Sequence, residues 1–71
     1  MPQMHPVDSS WVAAIGYDED RAEAYVEVIE GGTRYAYTGV PLAVWRDFAA
    51  AASKGTFVNE VLKPGYRFRE L

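Results

Sequence analysis

Glu23-Ala24-Tyr25-Val26-Glu27-Val28-Ile29-Glu30-Gly31-Gly32-Thr33-Arg34-Tyr35-Ala36-Tyr37-Thr38 is the stretch whose reading decides how this chain folds. Its first half alternates with the period of a strand. Ala24, Val26 and Val28 fall on one face, and Glu23, Tyr25, Glu27 and Ile29 on the other. Gly31-Gly32 supplies two residues that tolerate positive φ, which a tight hairpin requires. Thr33 to Thr38 then returns. With Glu30 and Thr33 flanking the turn, Val28 opposes Tyr35 and Val26 opposes Tyr37. Both tyrosines thus lie on the valine face, as core residues before they can be a stacking platform.

Working outward, Trp11 to Tyr17 is a short apolar, β-compatible segment. Trp11, Ala13, Ile15 and Tyr17 share one parity, Val12 and Ala14 the other, so alternation leaves its buried side open. Asp18-Glu19-Asp20-Arg21 is a polar turn. Residues 1–8 hold two prolines and no periodicity, and read as a loose leader. Downstream, Gly39-Val40-Pro41 ends the sheet, and Pro41 suits the first turn of a helix, where its missing N–H is not needed. Leu42, Trp45, Phe48, Ala49 and Ala52 recur at helical spacing. Ser53 to Gly55 breaks that helix. Thr56 to Leu62 reads as a second, short one with Phe57, Val61 and Leu62 inward, stopped by Pro64-Gly65. Tyr66 and Phe68 then alternate with Arg67 and Arg69 in an extended tail, apolar pair docked and arginines out. The expected fold is α+β: a three-stranded antiparallel meander, then two helices on one face (β-β-β-α-α), then the tail, as one domain over residues 9–71.

Seventy-one residues leave room for one core. About 60% of the unfolded surface is buried in a domain of this size, so stability rests on a few large side chains. There is no cysteine, hence no disulfide or thiolate metal site, which suits a reducing cytoplasm. No apolar run approaches the ~20 residues that span a membrane. The net charge of −3 is unevenly spread. Residues 1–45 carry two arginines against seven acids, a net −5; residues 46–71 carry five basic against three acidic groups, a net +2. Only the second part offers a phosphate partner a favourable field.

Little in the chain speaks for catalysis, a cofactor or a metal. His5 is the one histidine and has no partner at suitable spacing. Asp18, Glu19 and Asp20 lack the ligand spacing of a calcium loop. Ser9-Ser10 has no accompanying base, and Gly31-Gly32 is not part of a phosphate-binding motif. The expectation is a protein that is not an enzyme. One polar cluster remains, Ser53-Lys54-Gly55-Thr56-Phe57-Val58-Asn59, followed by Lys63, Arg67 and Arg69. A helix start, a mobile amine and a glycine that admits close approach could together hold phosphate groups. The same residues could equally cap the two helices, with Ser53 or Thr56 as the cap.

Several segments in order resemble one known family: Ser9-Ser10, Ile15-Gly16-Tyr17-Asp18, Gly32-Thr33-Arg34-Tyr35-Ala36-Tyr37, Gly39-Val40-Pro41, Ser53-Lys54-Gly55, Phe57-x-Asn59 and Tyr66. This pattern is similar to the KTSC domain, named for the C-terminus of some lysyl-tRNA synthetases and also found as a small stand-alone protein of bacteria and phages. The resemblance covers about residues 8–70. It departs at Arg67, where a proline is common, and at Val58, where an aromatic is common. It carries over no catalytic residue. It implies RNA binding by association with a tRNA synthetase.

Two functions from different classes are therefore expected. In the first, tRNA-like RNA binds the helix junction and basic tail through Lys54, Gly55, Asn59, Lys63, Arg67 and Arg69, with Tyr66 or Phe68 stacking. In the second, the domain is a protein-interaction adaptor or homodimer, using a sheet edge or an outward apolar patch of Tyr25 and Ile29.

Overall fold

The computed structural model of the protein describes residues 3–71; Met1 and Pro2 of the expected leader lie outside them. The architecture is α+β. Five antiparallel strands lie in chain order: β1 (His5–Pro6), β2 (Val12–Asp18), β3 (Glu23–Val28), β4 (Arg34–Tyr37) and β5 (Phe68–Glu70). Helix α1 (Leu42–Ala50) and a second helix, α2, over residues 54–65 connect β4 to β5 and pack on one sheet face.

The meander expected from sequence is the centre of this sheet, not the whole of it. The tail is a fifth strand on β4 (Tyr37↔Phe68, Tyr35↔Glu70), and part of the leader is a first strand on β2 (His5↔Ile15, Pro6↔Ala14). The hairpin register also differs. Val26 opposes Tyr35 and Ala24 opposes Tyr37, because the turn takes the four residues 29–32 rather than two. A shift of two preserves every face, so Tyr35 and Tyr37 still join the valines. Gly31 and Gly32 both hold positive φ (76° and 65°).

A β-bulge explains the ambiguous parity of β2. The pairing changes register between Val12 and Ala14, which leaves Ala13 as the extra residue. Val12 and Ile15 then both enter the core despite opposite parity. They meet Val26, Val40, Phe48, Val58 and Leu62, all nearly solvent-free. Aromatic contacts tie the helices to this layer: Trp45 stacks on Tyr17 (centroids 5.4 Å apart, planes at 6°), and Phe48 stacks on Phe57 (5.1 Å).

Helix α2 is not regular. An α-helical turn (Lys54–Phe57) leads into a wider π turn (Val58–Leu62), in which Lys63 N–H reaches back to the Val58 carbonyl. Pro64 gives the reason: it has no N–H to bond the carbonyl four residues back, and its ring crowds that carbonyl in a normal turn. Val58 and Leu62, four apart on one face, are the buried pair, where Phe57, Val61 and Leu62 were expected; Phe57 and Val61 are half-buried.

The two sheet edges differ. β1 is two residues long and one of them is Pro6, which cannot donate to a ladder. On β5, Thr38 N–H bonds the Arg67 carbonyl and Leu71 N–H bonds the Arg34 carbonyl, both at 2.8 Å. Antiparallel strands alternate the direction of their peptide groups. The N–H and C=O of Phe68 and Glu70 therefore point away from β4, along the free edge.

Candidate functional site

Trp11 stands where two surface hollows meet. Ser9 holds the chain there, its hydroxyl accepting from the backbone N–H groups of Trp11 and Val12 (3.4 and 3.2 Å). The indole packs on Gly55 of α2: a β-carbon at Gly55 would lie 3.0 Å from Cδ1 and Cε2 and closer still to Nε1. Lys63, further along α2, carries its ammonium 5.2 Å from the ring centroid, a cation–π geometry.

The first hollow is an apolar cleft of about 390 Å³ between the inner sheet face and α2. Trp11, Tyr35, Tyr37, Val58 and Phe68 form its walls, and Lys63 is the one charged residue lining it among the described residues. Phe68 meets both tyrosines (centroids 5.8 and 5.7 Å) yet stays 58% exposed, so the cleft opens onto the β5 edge. Burial raises the Tyr37 phenol above its usual range, with the Tyr35 phenol adding to the effect.

The second hollow, about 380 Å³, is polar and collects Lys54, Gly55 and Asn59 with Asp8, Ser10 and Ser53. Three of the residues expected to meet RNA do converge here. Two side chains here already have partners: Ser53 Oγ accepts from Thr56 N–H (3.2 Å) as the cap of α2 and donates to Thr56 Oγ1 (2.9 Å), and Lys54 Nζ donates to the Ala51 carbonyl. Asp8 adds a carboxylate that opposes phosphate.

The other expected site residues scatter. Lys63 serves the apolar cleft rather than the polar one. Tyr66 is half-buried against the core rather than free to stack. Arg67 is exposed, with no ion pair among the described residues. Arg69 lies across the sheet from both hollows, where its Nη1 and Nη2 grip the two oxygens of Glu23, the latter at 3.1 Å. Tyr25 OH donates to the same carboxylate at 2.8 Å. The Arg69 hydrogen bonds hold the Glu23 carboxyl down to about 2, against the opposing effect of burial.

The expected outward patch of Tyr25 and Ile29 does not form. Tyr25 is 4% exposed: it stands between Gly16 and Ala36, its small neighbours on the flanking strands, and Gln3 and Met4 pack against Gly16. Ile29 leaves the strand for the hairpin turn, where it is exposed. Sequence reasoning missed Trp11 as the pivot, whereas Phe68, expected to dock or to stack, lines the cleft. The available signal was a tryptophan just before an apolar strand and a helical glycine to receive it. Among the described residues, no group of three or more His, Cys, Asp or Glu could hold a metal, and no helix is long and apolar enough to cross a membrane.

With this geometry in place, the comparisons are consistent with one another. Residues 8–66 match the family described as KTSC domain. A protein of Tsukamurella paurometabola is 45% identical over 65 residues, covering 90% of this chain and 94% of the relative. The crystal structure of a KTSC domain protein from Yersinia pestis superposes with a TM-score of 0.92 at 37% identity, covering 100% of this chain and 99% of that one.

Proposed function

The chain belongs to the KTSC domain family, and from that premise we propose that it is a non-catalytic binding module that captures an extended segment of a partner protein along β5. One observation carries this reading. Among the described residues, the outward peptide groups of Phe68 and Glu70 form an unpaired edge directly beside the apolar cleft. An added strand would satisfy those groups through main-chain hydrogen bonds, while the cleft accepts every second side chain. A net charge of −3 and the capture of Arg69 by Glu23 favour a protein over a polyanion.

A second reading is RNA binding, favoured by the Lys63 ammonium over Trp11 beside Tyr35 and Phe68. A base stacked in the cleft with its phosphate on Lys63 would use these groups. Screening a displayed library of extended peptides and mapping the winners by amide shifts tests the first reading. Perturbation of Phe68, Glu70 and the Trp11 indole N–H is expected. Winners that shift only β1 or α1 would overturn it. Titration with single-stranded RNA at low salt tests the second, with Lys63→Ala expected to weaken binding.

A further inference from the structure

The charge order along β5 goes further and, resting on the edge reading above, assigns a chemistry to the segment captured. Side chains alternate along Arg67-Phe68-Arg69-Glu70. Phe68 faces the inner cleft with Tyr35 and Tyr37, whereas Arg69 faces outward to Glu23. Arg67 has the parity of Arg69 and the same ladder direction, through its bond to Thr38.

A strand laid on this edge alternates in step with β5, whichever direction it runs. The partner residue beside Phe68 turns its side chain into the cleft. Its two neighbours turn outward, beside Arg67 and Arg69. We infer that the partner segment is an extended peptide with an acidic–apolar–acidic core.

The cleft adds to this selection. Its walls are apolar and its lone charged residue is Lys63, so an apolar side chain is accepted and a nearby carboxylate is favoured. Glu70 lies on the inner face one step beyond Phe68, paired to Tyr35, and disfavours a third acid at the matching inward position. Arg67 is the more available of the two arginines, since Arg69 already serves Glu23.

Two synthetic peptides in a threonine-rich context, one with a Glu-Leu-Glu core and one with Lys-Leu-Lys, test this by titration into the labelled full chain with amide shifts as readout. The acidic peptide should bind about fivefold more tightly, mainly from a cross-strand charge pair gained at Arg67 against a like-charge contact there, since Arg69 is held by Glu23. It should protect the Phe68 and Glu70 amides from exchange. Arg67→Glu should erase or reverse the preference, and Arg67→Ala should reduce it. Equal binding of both peptides at β5, or indifference to Arg67→Glu, would sink the charge rule while leaving the edge reading in place. If neither peptide moves the β5 amides, the edge reading falls with it. If a single-stranded RNA oligonucleotide moves them instead, the cleft belongs to nucleic acid.

Discussion

Trp11 and Gly55 form a contact that excludes a side chain from one partner: the indole lies where a β-carbon of residue 55 would have to project. Alanine in place of this glycine gains about 1 kcal/mol of helix propensity. Against that, a rigid ring must move out of a packed site, and overpacking of this kind costs roughly 1–3 kcal/mol. The steric effect wins. Gly55→Ala should lower the denaturation midpoint and shift the Trp11 fluorescence, and Trp11→Leu in the same chain should remove most of the added penalty. An unchanged or raised midpoint for the single variant would contradict the contact.

Ser53 begins α2 by accepting from the Thr56 N–H. Ser53→Ala leaves that donor without its cap and should cost about 1 kcal/mol in a urea titration, whereas Ser53→Asp should retain most of the stability. Equal losses in the two variants would mean that the hydroxyl does something other than cap.

Glu23 and Arg69 fasten β5 to the outer sheet face, and the sign of their pH dependence follows from the carboxyl's position. Its folded value is depressed from 4.5 to about 2. The stabilisation is therefore present above about pH 5, where the unfolded chain also carries the ionised group, and is lost as pH falls through 2. Acid melts should show a fall in Tm over that window. Glu23→Gln should flatten this part of the profile and lower Tm at pH 7 by about 5 °C. A variant with an unaltered acid limb would show that other carboxyls govern it.

How much of this was readable from residues alone differs from element to element. The inward face of Tyr35 and Tyr37 was legible because a face survives a register error of two, although only Tyr37 is fully buried. The register itself was not: Gly31-Gly32 marks a turn but does not say whether two or four residues make it. In β2 the alternation was hidden by the extra residue Ala13, since a bulge has no side-chain signature. Residues 5–6 gave no strand pattern because two residues cannot display a period. Tyr25 looked outward and was outward, yet it is buried there: strand pairing sets it beside Gly16 and Ala36, and residues 3–4, which show no period, pack against that glycine. The polar cluster Ser53–Asn59 was found as a unit. Arg69 was grouped with it by nearness in sequence, and β5 carries it to the opposite face.

The inequality of the two sheet edges sets a limit on stoichiometry. A strand that joins at β5 gains no template on the far side, because β1 offers His5 and a proline. Among the described residues, β5 to β5 is the pairing open to two copies meeting through this sheet, a two-fold arrangement that closes on itself. Head-to-tail growth into a fibre needs two complementary edges, and among the described residues this sheet has one long enough to serve.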